Sequence, residues 1–175
     1  SERVAEKNLR LILAEAIERD IPFLGVCYGL GVLASALGGA VSKNSFAEQA
    51  GATDIEITED GLRDPLLVGL PRSFRSFVGH KEACERVPDG AALLATSKCC
   101  LVQMIRVKRN IYATQFHPEL DPSGIVVRIN AYKHHGYFAP EEAEALQEAC
   151  LREAVTVPME ILRRFVAMAR KSSES

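Results

Sequence analysis

The sequence predicts a three-layer α/β domain, a mostly parallel sheet with helices on both faces. Three observations carry that prediction. The stretch 21–26, Ile-Pro-Phe-Leu-Gly-Val, is short and apolar on both faces, as a strand buried in a parallel sheet is. It follows one helical pattern and turns into another without a linker. The last third of the chain then reads as helix after helix. At 175 residues there is material for one core, so 1–175 is read as a single domain.

Each element has its own reason. Val4, Leu11, Ile12, Ala16 and Ile17 recur at helical spacing between charges, which predicts a helix over 2–19 that ends at Asp20. The strand 21–26 runs into a helix from Cys27 to Leu37, stopped by Gly38-Gly39. A polar loop occupies 43–51, followed by a strand near 53–58 and a short helix near 61–70 broken by Pro65 and Pro71. Strands are predicted at 74–78, 92–96, 101–107 and 111–116. Helices follow at 123–132, 140–154 and 158–171, the second opening on Pro140 with Glu141 and Glu142 favourable to its dipole.

Composition excludes several classes. Hydrophobic residues make up 47% and charged residues 25%, far from the pattern of a disordered chain. Lys and Arg number 21 against 23 Asp and Glu, leaving no surplus of positive charge for a nucleic-acid backbone. No apolar run approaches the roughly 20 residues needed to cross a bilayer. Five cysteines cannot all pair within the chain, and no basic segment with an apolar stretch opens it. The expectation is a reducing, cytoplasmic setting with free thiols. No phosphate-binding loop or dinucleotide fingerprint is present, so no cofactor is expected.

Gly25-Val-Cys-Tyr-Gly29 carries the sharpest chemical signal. A nucleophile between glycines, where a buried strand turns into a helix, matches a nucleophile elbow, and the helix dipole there favours thiolate over thiol. The same pentapeptide suits an apolar core cysteine beside a helix-terminal glycine. A cysteine nucleophile needs a base and a group to orient that base. His117 follows an apolar strand, and Glu119, across Pro118, can return to it. That outlines a Cys27-His117-Glu119 triad; a strand-end histidine beside a solvated glutamate is the plainer reading. Cys99 and Cys100 are adjacent and Cys84 and Cys150 isolated, so all four read as packing residues and no metal is expected. His134-His135 reads as a surface turn.

Taken together, Gly25–Gly29 and Gln115-Phe-His-Pro-Glu119 resemble the two signatures of class I glutamine amidotransferases, in the same order. Between them Gly79-His80-Lys81-Glu82, Val87-Pro-Asp-Gly90 and Leu94-Ala-Thr-Ser97 resemble the glutaminase domain of GMP synthases and its free-standing relatives. The resemblance, from about 20 to 122, implies a flavodoxin-like glutaminase fold. It implies that Cys27 attacks the amide carbon of glutamine, that His117 carries the proton to ammonia, and that Glu119 holds His117. The Tyr28 N–H would be one oxyanion donor. Glu48, Gln49, Gly79 and His80 fall on segments that line the glutamine pocket. Ammonia would pass to an acceptor or to a synthetase on a separate chain, and self-association is compatible with all of this.

Two departures stand out. Where the family usually carries a Gln four residues after the nucleophile, this chain has Gly31. The family also begins with one or two further βα units, so the N-terminal strands are expected to be missing here, with a second neighbour of strand 21–26 upstream of Ser1 and a fragment 1–175 that is unstable alone. Rival readings are a γ-glutamyl amide or peptide hydrolase with the same triad, and a catalytically silent regulatory module. An active Cys27 is expected to alkylate near neutral pH far faster than the other four thiols.

Overall fold

The computed structural model describes residues 2–43, 45–135 and 138–174. In chain order the elements are α1 (Glu2–Arg19), β1 (Phe23–Val26), α2 (Tyr28–Ala36), β2 (Val41–Ser42), β3 (Glu48–Ile57), β4 (Ser73–His80), β5 (Ala83–Cys84), β6 (Ala91–Thr96), β7 (Met104–Val107), β8 (Ile111–Thr114), α3 (Pro122–Tyr132), α4 (Ala143–Leu151) and α5 (Val157–Ser173). Single 3-10 turns lie at Gly61–Arg63 and Pro140–Glu142. None of the described helices is long and apolar enough to cross a membrane.

Six strands form one sheet in the order β1-β8-β7-β6-β3-β4, and β2 and β5 form a separate pair. Only β1 and β8 run parallel, in the register Phe23↔Ile111 to Val26↔Thr114. The pairings β8-β7, β7-β6, β6-β3 and β3-β4 are antiparallel. The α/β class and the helices on both faces are as predicted, but the sheet is mixed where a mostly parallel one was expected. The reason is local: β7 and β8 are joined through 108–110, a connection too short for anything but an antiparallel return. Lys108 absorbs that reversal at φ 53°. Among the described residues β1 has one strand neighbour, β8.

Alternation along the strands divides the core. Ile111 and Ala113 of β8 join Ile105 and Val107 of β7 beneath Leu13 and Ala16 of α1 and Leu30 and Leu33 of α2. Tyr112 and Met104 point the other way, against Ile161 of α5 and the β3 residues Ile55 and Ile57. Phe77 of β4 packs with Ile125 and Ile129 of α3 and Cys150 of α4. Each such large side chain contributes roughly 1.5–3 kcal/mol by leaving water.

Other departures from expectation are smaller. The second half of the predicted loop 43–51 belongs to β3, whose ladder to β4 slips between Glu48 and Gly51. β7 starts at Met104 because 97–100 closes a turn, with Ser97 N bonded to Cys100 O at 2.9 Å and Cys100 N to Ser97 Oγ at 3.1 Å. The predicted helix 61–70 is one 3-10 turn, fixed by Asp64, whose carboxylate accepts from Leu66 N at 2.9 Å and from Arg106 Nη1 at 2.6 Å. Cys84, Cys100 and Cys150 are buried as packing residues, and Cys99 is exposed.

Candidate active site

The elbow is built by the end of β1. Cys27 sits at the N-cap of α2 with φ 52° and ψ −95°, a conformation that non-glycine residues rarely hold. Its N–H donates to Thr114 O at 2.7 Å, which continues the β1-β8 pairing one residue past the ladder. The two glycines differ in role. A Cβ on Gly25 would lie 2.9 Å from the carbonyl carbon of Gly29, so strand and helix meet there only because Gly25 has no side chain. A Cβ on Gly29 would have nothing within 4 Å.

Because Val26 stands opposite Thr114, the next residues of the two strands come together. Gln115 Nε2 donates to Cys27 Sγ at 3.6 Å. His117 is two residues further, its N–H bonded to Phe77 O at 2.9 Å, and its Nδ1–H donates to Glu119 Oε1 at 2.7 Å. The other ring nitrogen, Nε2, is buried and has no hydrogen-bond partner among the described residues. Cys27, Tyr28, Gly31, Gly79, His80, Gln115 and His117 all line one cleft of about 690 Å³.

Electrostatics correct one expectation. Burial pushes the Cys27 thiol above its ordinary pKa, and this outweighs the Arg128 charge and the Tyr28 backbone N–H, which act in the opposite direction. Burial thus favours the thiol form against these two local influences. Burial also pushes Glu119 upward, but the hydrogen bond and charge of His117 prevail and hold that carboxyl below its ordinary value.

The four residues expected around the substrate divide. Gly79 and His80, at the end of β4, are in the cleft wall; Glu48 and Gln49 are not among its lining residues. Glu48 is buried behind that wall, where its carboxylate accepts from His80 Nε2 at 2.8 Å, Gln103 Nε2 at 2.7 Å and Ser97 Oγ at 3.3 Å. Gln49 is exposed. Glu48, His80 and Cys100 offer ligand atoms within 4.8 Å of one another, a set able to hold a cation. The direct Glu48-His80 hydrogen bond already uses the two harder donors.

Sequence reasoning missed Arg128, which reaches the cleft from α3. That helix opens on Asp121, whose side chain accepts from Gly124 N at 2.6 Å, with Pro122 at its first position. The signal was available: Arg128 interrupts the otherwise apolar run Ile125-Val-Val-Arg-Ile129.

Comparison with known proteins agrees with this architecture. The family model for Glutamine amidotransferase class-I matches residues 2–147, and the chain belongs to that family. A GMP synthase [glutamine-hydrolyzing] from Lactobacillus delbrueckii subsp. bulgaricus is 37% identical over 118 residues, which are 67% of this chain and 22% of the relative. The chain thus matches less than a quarter of that relative's length. One subunit of the GMP synthase [glutamine-hydrolyzing] from Natronomonas pharaonis is 33% identical over 105 residues, 59% of this chain and 55% of that protein. The crystal structure of a glutamine amidotransferase from Thermotoga maritima superposes with a TM-score of 0.78 at 26% identity, covering 93% of this chain and 68% of that one.

Proposed function

We propose that this chain hydrolyses the side-chain amide of glutamine through a thioester on Cys27. The observation that carries the reading is the disposition of His117: Glu119 takes its Nδ1–H, and Nε2 is left without a partner on the cleft that holds the thiol. As Sγ attacks the amide carbon, its proton passes to Nε2, and the oxyanion is received by the Tyr28 N–H at the head of α2. Collapse breaks the C–N bond, and the proton on Nε2 leaves with ammonia. Water, deprotonated by the same nitrogen, then opens the thioester to glutamate and the free thiol. Burial favours the thiol form of Cys27, and His117 accordingly serves as the base in the first step.

Ammonia goes to an acceptor, in keeping with the names of the relatives, which are glutamine-hydrolyzing GMP synthases. A γ-glutamyl amide or peptide hydrolase is the second reading. It is favoured by the roominess of the cleft at Gly31, where an added Cβ would meet only Val41 Cγ1, at 3.9 Å. The test is glutamate release from L-glutamine and from γ-glutamyl peptides by the chain and by Cys27→Ala. Release from glutamine that disappears in Cys27→Ala supports the first reading. Equal release by both proteins overturns the triad.

A further inference from the structure

Arg128 has an unusual position. Its guanidinium lies over the Tyr132 ring, with its central carbon 5.1 Å from the ring centroid, and it faces the cleft shared by Cys27 and His117. Among the described residues no carboxylate or carbonyl accepts a hydrogen bond from it. Other half-buried arginines of the protein are engaged: Arg75 with Glu153, Arg106 with Asp64, and Arg164 with the carbonyls of Leu66 and Val68. On the same cleft Lys43 pairs with Glu82 at 3.1 Å, and Lys81 gives its Nζ to His135 O at 2.9 Å.

A guanidinium presents a planar fork of donors that matches a carboxylate with two parallel hydrogen bonds. Stacking on Tyr132 limits the orientations the fork can take, so less freedom is lost when an anion arrives. The charge is also felt at the reaction centre, since Arg128 acts on both Cys27 and Glu119. A half-buried cation on the cleft that holds Cys27, with no acceptor among the described residues, is arranged to receive an anion from the ligand.

We propose that Arg128 binds the carboxylate of the substrate, the α-carboxylate of a γ-glutamyl group whose side-chain carbonyl lies at Cys27. This rests on the γ-glutamyl reading of the site. Gly31 lines the same cleft, and a Cβ there would meet only Val41 Cγ1, at 3.9 Å, so the cleft keeps room at that point for the body of the glutamyl group. Arg128 then distinguishes γ-glutamyl compounds with a free α-carboxylate from those in which it is amidated.

The test compares alkylation of Cys27 by iodoacetate and by iodoacetamide, followed by mass spectrometry, with exposed Cys99 as the reference in the same protein. The two reagents attack the same thiolate, so any change in its ionisation cancels in the ratio of their rates. In the natural chain the iodoacetate-to-iodoacetamide ratio is expected to be several-fold higher at Cys27 than at Cys99. Arg128→Gln should lower it at Cys27 several-fold, to about the Cys99 value, and leave it unchanged at Cys99, with Arg128→Lys between. In turnover, Arg128→Gln should raise KM for L-glutamine more than it lowers kcat. Equal ratios at the two cysteines of the natural chain overturn the proposal without recourse to any variant, and so does a ratio unmoved by Arg128→Gln in a protein with unaltered circular dichroism. Should the natural chain not hydrolyse glutamine while the ratio behaves as expected, the anion site stands and the glutaminase reading falls.

Discussion

Glu119 Oε1 stands 2.7 Å from His117 Nδ1, and that contact engages one of the two ring nitrogens and leaves Nε2. With the Nδ1 proton held by a carboxylate, the lone pair of the neutral ring is on Nε2, which has no hydrogen-bond partner among the described residues. Glu119→Gln leaves an oxygen that can still accept from Nδ1 but removes the charge that steadies the imidazolium. His117→Ala should lower kcat by about 10²–10⁴ and Glu119→Gln by clearly less, read in steady-state glutamate release. Equal losses would show that Glu119 does more than orient the ring.

The elbow glycines should respond differently to the same change. Gly25→Ala places a methyl 2.9 Å from the Gly29 carbonyl carbon and should cost about 1–3 kcal/mol of stability along with activity. Gly29→Ala meets nothing within 4 Å and should be neutral or stabilising by up to about 1 kcal/mol, since alanine suits a helix better. Urea unfolding of the two variants checks this; matching losses would contradict the geometry.

Burial raises the Cys27 pKa above the ordinary thiol value, so its alkylation by iodoacetamide should be slow at neutral pH. The rate should climb as pH rises, with a midpoint above that of a model thiol. Arg128 opposes the shift, and Arg128→Gln should move the midpoint further up. A midpoint below neutrality would mean that the site holds a thiolate after all.

Arg75 of β4 is tied to Glu153, just beyond α4, by two hydrogen bonds of 2.6 and 2.9 Å. The hydrogen bond from Arg75 holds the Glu153 carboxyl below its ordinary value. A carboxylate with a lowered folded pKa contributes stability that is complete above its unfolded pKa and is lost as pH falls through the folded one. Glu153→Gln should therefore cost up to about 1 kcal/mol near pH 7 and progressively less below about pH 4. Urea midpoints measured at both pH values decide it.

The elbow and the His117-Glu119 pair were legible because their geometry is carried by consecutive residues. Strand direction was not. An apolar run such as 111–116 is equally apolar read either way, and the turn that reverses the chain, Lys108-Arg109-Asn110, contains no glycine; Lys108 itself takes the positive φ. The ionisation of Cys27 also escaped, because burial is a sum over the whole fold while a helix terminus is visible locally. Glu48 was assigned to the substrate pocket, but it reaches the cleft only through His80. The β3 ladder slips between Glu48 and Gly51, an irregularity that residue alternation cannot foresee.

The parallel β1-β8 ladder is also a ruler. Cys27 and His117 are 90 positions apart in the chain, yet their separation in space is inherited from four paired residues, Phe23↔Ile111 to Val26↔Thr114. Sliding one strand by a single residue moves it about 3.3 Å and turns its side chains to the opposite face. Such a slip would leave the core nearly as apolar and the fold recognisable, while Gln115 and His117 faced away from the thiol. Ala113, opposite Gly25 and packed beneath α2, is not among the residues lining the cleft, but a bulkier side chain there should show first as a loss of the proposed activity.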